Sequence, residues 1–374
     1  VEELVPHGVV DARWREQAQS AVAAIDNSGQ RTNIPAALAA ATYDIDSIDP
    51  RYRVSVVLLT DGKVDVAESP MVNAGAARKL LTTTAPELGA TGIPVHTIAL
   101  SDEADWTFLR SLARATDGIA EKAISPAELT SIYLQSLEMV APAATVPVAP
   151  ADSSFVIDDS VEEFTALIFF DSPRNEVGLV SPGGTRYGPA SAQTGVEWFR
   201  NQQFALVTVR RPDSGTWTLV APGSTLTRIT VISDLQLDVD PLPNNLPAGR
   251  NAELGLRLME NDSVITDPEV LQLFGLRVAI QGPGVYNRLI DVSGEYPVPA
   301  NGEYRVRVPG MERPGRYQVI AILEGKTLQR EMRMYVEVTP TPTTSTINTR
   351  VEELPPVDLE RPALYAAAGL AGLG

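Results

Sequence analysis

The 374-residue sequence contains no cysteine, which removes disulfide bridges, thiolate metal sites and cysteine nucleophiles together. Histidine is almost as scarce. His7 and His96 are the only two, and no HExxH or similar zinc-binding pair is present, so the sequence argues against a zinc hydrolase. Positive charge is in deficit: 30 Lys and Arg stand against 47 Asp and Glu, giving a net charge of −17 and a pI near 4.6. Such a field repels a polyanion at long range, so nucleic acid is a poor partner class. The deficit is even, with 19 acidic against 11 basic residues up to position 140 and 28 against 19 beyond it, so no charged tail accounts for it. A basic n-region and an apolar h-region are both missing from Val1–Val10, which therefore do not read as a signal peptide. The uncharged stretch Ala363–Gly374 has twelve residues, short of the roughly 20 that cross a bilayer. It is expected to be the start of a membrane anchor that continues past Gly374, the alternative being a short hydrophobic helix packed on the last β domain.

What is present is modular. Hydrophobic residues make up 44% and charged residues 21%, values that support packed cores, and the length predicts two to four domains. Residues 11–140 alternate helical and strand patterns, the mark of βαβ units on a parallel sheet. Trp14, Ala18, Ala21, Val22 and Ile25 lie on one helical face, with Asp11 as an N-cap. Ile34, Ala37, Leu38 and Ala41 form a second face. The run Val54–Thr60 is apolar throughout, which predicts a strand covered by helices on both sides. Pro94–Leu100 and Gly118–Ile124 are further strands, with helices expected at 74–88 and 106–115 and a closing helix marked by Leu129, Ile132 and Tyr133.

Residues 141–152, rich in proline and alanine, read as a stiff linker. Helical periodicity then disappears. Phe164–Phe170, Gln203–Val209 and Thr216–Val220 are strand-like and separated by turn residues, so 153–227 is expected to be a β-sandwich. A second, immunoglobulin-like sandwich is expected over 228–338. In it the motif Gly302-Glu-Tyr304-Arg-Val306 recurs as Gly315-Arg-Tyr317-Gln-Val319, and the alternation predicts two adjacent antiparallel strands with Tyr and Val on one face. Residues 339–374 read as a Pro/Thr-rich stalk leading into the anchor.

Three segments, taken in order, resemble the later part of a von Willebrand factor type A (VWA) domain: Thr32-Asn-Ile34 opening an alanine-rich helix, Leu58-Leu-Thr-Asp61-Gly62 ending a buried strand, and Gly92-Ile-Pro-Val-His-Thr-Ile98 entering another. Leu109–Gly118 resembles that family's helix before its last strand. The resemblance covers residues 1–140 and implies an incomplete Rossmann-like α/β domain followed by two all-β sandwiches. It further implies a divalent-cation site at the C-terminal edge of the sheet, with Thr32 and Asp61 as its metal ligands. A hydroxyl and a carboxylate are hard donors suited to Mg²⁺, Ca²⁺ or Mn²⁺, and an acidic group of a protein ligand would complete the shell. The family's first ligand loop, DxSxS, has no counterpart in residues 1–31, and Asp26-Asn-Ser28-Gly follows a helix too close to Thr32 to replace it. The chain is therefore expected either to begin inside the domain or to be a degenerate VWA domain, and to bind a cation weakly or not at all.

Each of these residues also has a plainer reading. Thr32 before a helix is ordinarily an N-cap, and Asp61-Gly62 after a strand is ordinarily a turn. Asp102, Glu103 and Asp105 read as a solvated acidic loop at the same edge. Asp44, Asp46 and Asp49 lack the glycine and terminal glutamate of an EF-hand loop. His96 reads as a packed structural histidine, and His7 has no arrangement resembling a triad. Ser181-Pro-Gly-Gly184 reads as a turn, and Asn261-Asp-Ser263 is a formal glycosylation sequon. In Pro212-Asp-Ser-Gly215-Thr-Trp217, a segment that resembles a strand of the β-sandwiches trailing some VWA domains, Gly215 would relax the turn and Trp217 anchor the core. The expected function is a non-enzymatic protein-binding or adhesion module of a bacterial cell envelope that uses a divalent-cation-dependent VWA face. Two alternatives share these features: a non-catalytic component of a hydrolase or metal-chelatase complex, and a structural surface subunit with a non-functional metal site.

Overall fold

In the computed structural model the described residues are 1–341 apart from 26–28, 46–51, 126–127, 130–131, 133–135, 137–138, 140–141, 171 and 191–193. Asp26-Asn-Ser28, Asp46, Asp49, Tyr133 and the stalk and anchor beyond 341 lie outside them. The α/β part opens with α1 (Ala12–Val22), where Asp11 accepts from the Trp14 amide at 2.7 Å. The apolar face expected of α1 is covered only in part: no residue of the helix is fully buried, Trp14, Ala18 and Ala21 are half-buried, and Val22 and Ile25 are 64% and 67% exposed. Trp14 is held by the preceding segment, its indole N–H donating to Pro6 O at 3.0 Å, while the C-terminal end of the stripe stays open. In α2 (Ile34–Ala41) the capping acceptor is Asn33, which binds the Ala36 amide at 3.0 Å, and Ile34 and Leu38 enter the core. Thr32 is thereby relieved of the capping role.

Three strands, β1 (Val56–Thr60), β2 (Val95–Ala99) and β3 (Ala120–Lys122), form a parallel sheet in sequence order. Between β1 and β2 run α3 (Pro70–Lys79), a π turn (Leu80–Thr84) and α4 (Ala85–Ala90). The wide turn lies just before Pro86, whose missing N–H and bulky ring interrupt the α ladder. Helix α5 (Trp106–Ala115), capped by Asp105 at the Phe108 amide, joins β2 to β3. Val56, Leu58 and Val95 point into one core with α2 to α5. The sheet's second face carries Val57, Leu59, His96, Ile98 and Glu121. Double coverage of β1 is corrected here: β1 is an edge strand, and Leu59 is 40% exposed.

Beyond residue 141 the described chain is antiparallel β apart from one parallel pair and two four-residue helices, Pro268–Leu271 and Val292–Glu295. The strands are β4 (Thr145–Val146), β5 (Ser154–Ile157), β6 (Val161–Phe170), β7 (Gly178–Val180), β8 (Arg186–Tyr187), β9 (Val196–Arg200), β10 (Phe204–Arg210), β11 (Gly215–Val220), β12 (Ser224–Ser233), β13 (Leu235–Val239), β14 (Asn245–Pro247), β15 (Ala252–Glu260), β16 (Ser263–Val264), β17 (Gly275–Gln281), β18 (Asn287–Asp291), β19 (Glu303–Val308), β20 (Gly315–Glu324) and β21 (Gln329–Thr339). The chain thus combines α/β and all-β architecture. Trp217 is fully buried against Phe164, edge to face at 5.1 Å, and its indole N–H donates to Asp213 O at 2.9 Å. Gly215 holds φ +129°, and a Cβ there would lie 2.9 Å from Pro182, so a side chain is excluded both by backbone and by contact.

Three features depart from the sequence reading. The stretch 141–152 contains β4, which pairs with both β12 and β21 and so joins the two sandwiches through one ten-stranded sheet, β18-β17-β20-β21-β4-β12-β6-β10-β9, with β14 beside β21. Two paired residues suffice for this, too few to register as a strand pattern. The boundary at 227/228 falls inside β12, which stays paired to β6 as far as Ser233. The repeated Tyr/Val motifs are not neighbours: β19 pairs with β15 in one sheet, while β20 pairs with β17 and β21 in the other. Tyr304, Val306, Tyr317 and Val319 are all buried in the shared core, because strands of opposite sheets satisfy the same alternation from either side.

Candidate functional site

The C-terminal ends of β1 and β2 bring Thr32, Asp61 and Ser101 together. Thr32 O accepts from the Asp65 amide at 2.9 Å, and a Cβ on Gly62 would lie 2.8 Å from Thr32 Oγ1. The threonine hydroxyl is therefore packed on Gly62, the residue after Asp61. Ser101 Oγ donates to Asp61 O at 2.9 Å, drawing the loop after β2 to the same edge. The Asp61 side chain itself is exposed and engages no partner among the described residues. Ligands of open α/β sheets bind at this edge because strand ends and loops converge there.

The donor set does not fit a resident divalent cation. Among the described residues no cluster of three or more His, Cys, Asp or Glu side chains is placed to hold an ion, whereas Mg²⁺ and Ca²⁺ require six or more oxygens. Nearby Asp65 is committed to Arg31 at 3.0 Å and to Asn73 at 2.9 Å. In the acidic loop, Asp105 caps α5, Asp102 reaches Lys122 at 3.4 Å, and Glu103 is exposed.

Neither histidine belongs to this edge. His96 is buried in β2, where its Nδ1 accepts from the Ile119 amide at 3.3 Å, and burial lowers its pKa to about 4. It is a neutral packed histidine, as its pattern implied. His7 lies 3.0 Å from Asp44 and stacks on Tyr43, a pairing 37 residues apart that sequence spacing does not reveal. No hydroxyl hydrogen-bonds to either imidazole among the described residues. Ser181–Gly184 forms the turn between β7 and β8. The sequon occupies the hairpin tip of β15 and β16, where Asn261 and Asp262 take φ +48° and +60°, a conformation these two residue types tolerate.

Two concavities accompany the sheet. A cleft of about 840 Å³ lies at the opposite, N-terminal edge, between Ser55, Pro94 and Thr116 on one side and Leu242, Met332 and Tyr335 on the other. A groove of about 520 Å³ follows the free edge of β3, walled by Trp106, Arg110 and Arg114 of α5 and by Asn245 and Glu337. The sequence reading missed this second site. Its signal was available in Trp106, Arg110 and Arg114, a cationic stripe at four-residue spacing in an acidic protein.

Residue 117 is another position the sequence did not single out. Asp117, at φ +55°, accepts through its carboxylate from the amides of Asn244 and Asn245 at 3.1 and 2.9 Å, and Asn245 Nδ2 also reaches Gly118 O at 2.8 Å. Arg316 of β20 pairs with Glu121 of β3, and burial nevertheless holds the Glu121 carboxyl above its ordinary pKa. These contacts fix the α/β part on the β part.

No family model matches the sequence, and neither does any curated protein. Among solved structures, the chain is similar to a von Willebrand factor type A protein from Catenulispora acidiphila, with 15% identity over 81% of this chain and 52% of that one and a TM-score of 0.28. A DUF4785 family protein from Legionella pneumophila shares 8% identity over 54% of this chain and 60% of its own, TM-score 0.35. A two-domain fibronectin type III segment of chicken tenascin shares 13% over 52% and 99%, TM-score 0.18. The chain thus spans about half the length of the Catenulispora protein. At these scores the fold description rests on the strands and helices themselves.

Proposed function

We propose that this chain is a non-enzymatic protein-binding module of a bacterial cell envelope, and that the Thr32–Asp61–Ser101 edge is one of its contact faces. The carrying observation is the exposed, uncommitted Asp61 carboxylate, set beside a packed hydroxyl at the strand ends where open α/β sheets present ligand groups. Such a face accepts hydrogen bonds from a partner's cations and amides directly. The absence of a nucleophile–base pair among the described residues supports binding over catalysis. The β part then serves as a rigid spacer, a reading favoured by the sheet that runs unbroken through β4. No helix among the described residues is long and apolar enough to cross a membrane, so the envelope placement rests on the composition of residues 339–374.

Partner capture from envelope extracts, followed by affinity measurement with the purified partner, tests the face. Asp61→Ala is expected to weaken binding about tenfold, the value of one charge-assisted hydrogen bond, with and without a chelator. Calorimetry with MgCl₂ or MnCl₂ is expected to give no saturable heat at low millimolar concentration. Unchanged affinity in the variant refutes the face, and tight cation binding abolished by Asp61→Ala refutes the direct mode.

A further inference from the structure

We propose that the open edge of β3 and the basic face of α5 form a docking groove for an extended acidic segment of a partner protein, which adds to the parallel sheet as a fourth strand. The site is separate from the Thr32–Asp61 edge and does not depend on it.

The backbone gives the first reason. Thr97 N donates to Ile119 O and Ala123 N donates to Ala99 O, and Thr97 is level with Ala120 in a parallel ladder. Residues 119, 121 and 123 therefore turn their ladder groups toward β2, so the N–H and C=O of Ala120 and Lys122 point away from the sheet. These four groups face the 520 Å³ groove, which is lined by Gly118–Lys122 itself. A sheet edge with room beside it is a template for strand addition.

The side chains give the second reason, and they select the occupant. Helix α5 crosses back over the sheet, so Trp106 lies by Lys122, with the ammonium 5.5 Å from the ring centroid, and Arg114 lies by Gly118. Arg110 sits 5.8 Å from the same ring, and neither Arg110 nor Arg114 pairs with a carboxylate among the described residues. Two residues four apart on a helix are separated by about 6 Å along its axis, and residues two apart on a strand by about 6.6 Å on one face. An added strand with Glu or Asp at alternate positions would thus present successive carboxylates to Arg110 and Arg114. Its intervening side chains would face Asn245, Glu337 and Glu121, the last already held by Arg316. Glu337 disfavours acid on that side. The groove accordingly reads an alternating acidic and neutral pattern, and a block of acid fits it poorly.

The test uses the full chain and two fluorescein-labelled octapeptides of identical composition, one alternating Thr and Glu, the other with four Glu followed by four Thr. Fluorescence anisotropy is expected to show at least tenfold tighter binding of the alternating peptide, weakening as salt rises from 50 to 500 mM. Arg110→Glu with Arg114→Glu should lose that binding tenfold or more and accept an alternating Thr and Lys peptide instead. Arg110→Gln with Arg114→Gln, a milder pair, should give an intermediate loss. Hydrogen exchange should slow at the Ala120 and Lys122 amides on peptide addition. Equal affinity for the two isomers, or no detectable binding, overturns the proposal; so does binding that survives charge reversal or leaves both amides exchanging freely. Asp61→Ala is expected to leave this binding unchanged, which separates it from the edge described above.

Discussion

Arg330 offers the sharpest test of how the two sandwiches are joined. Its side chain is fully buried on β21, with Nη2 2.7 Å from Asp158 Oδ2 and 3.2 Å from Ser160 Oγ in the turn between β5 and β6. Nη1 donates to Gln329 O at 3.1 Å, while Nε finds no partner. Asp158 in turn accepts from the Ser160 amide at 3.0 Å and so holds the turn. Removing one partner of a buried ion pair strands the other charge in a low-dielectric site and costs about 3–5 kcal/mol. Arg330→Met is thus expected to destabilise the β part by that amount, which for a body of this size lowers Tm on the order of 10 °C. Arg330→Met with Asp158→Asn removes both charges while keeping the acceptor that Ser160 uses. It should recover most of the loss, because the pair is incompletely hydrogen-bonded and paid desolvation on both sides. Differential scanning calorimetry, with Trp217 fluorescence reporting the first sandwich, measures the series. If the single variant loses less than about 1 kcal/mol, or the double variant is no better than the single, the pair is not the buried joint described here.

Three further outcomes follow from other sites. As pH falls from about 6.5 to about 4, the unfolded chain protonates His96 before the folded one does, so stability is lost across that window by on the order of 3 kcal/mol; His96→Gln should flatten the pH dependence measured by urea unfolding, against Glu121, whose raised pKa acts with opposite sign. Trp217→Phe keeps the ring contact with Phe164 but loses the donor to Asp213 O, costing about 1–2 kcal/mol, whereas Trp217→Ala should cost about 3–5 kcal/mol in the same denaturation assay. Asp117→Ala removes the acceptor for two backbone amides and puts alanine at positive φ, a loss of about 2–4 kcal/mol; hydrogen exchange at Asn244 and Asn245 should accelerate while the Trp217 signal stays unchanged.

Local chemistry was legible in the sequence wherever one residue determines one structure. Asp11 before an amphipathic run gave the first helix, apolar runs at 54–60 and 94–100 gave β1 and β2, and the Gly215–Trp217 spacing gave a turn and a buried anchor. The packing of Thr32 on Gly62 was suggested only by the resemblance, since nothing in either segment names the other. Coverage was not legible. An apolar stripe that enters the core in α2 is only half covered in α1, and Leu59 lies in as apolar a run as Ile98, because burial depends on what other elements arrive. Pairing between distant strands was equally hidden: β19 and β20 share a motif and are close in sequence, yet they belong to opposite sheets. The joint at β4 consists of two residues in a proline-rich stretch, and the Asp117 contacts span more than 120 residues. Neither leaves a periodic trace.

The two edges of the parallel sheet differ in what they can select. On β1, Val56 N donates to Pro94 O and Leu100 N to Thr60 O, so residues 57 and 59 turn their ladder groups outward beside the half-buried Val57 and exposed Leu59 side chains. That edge would accept an apolar strand with little regard to its sequence, the property that makes bare edges a liability. On β3 the same backbone geometry lies between two charged walls, one presenting Arg110 and Arg114 and the other Glu337, so strand addition there is conditioned on alternating charge. The wall carrying Glu337 comes from the β part, and it stands in place because Asp117 and Glu121 are fixed to Asn244, Asn245 and Arg316. The contacts that hold the α/β part on its β support therefore also build one side of the groove. A β part serving as spacer would in this way contribute to selection as well as to reach.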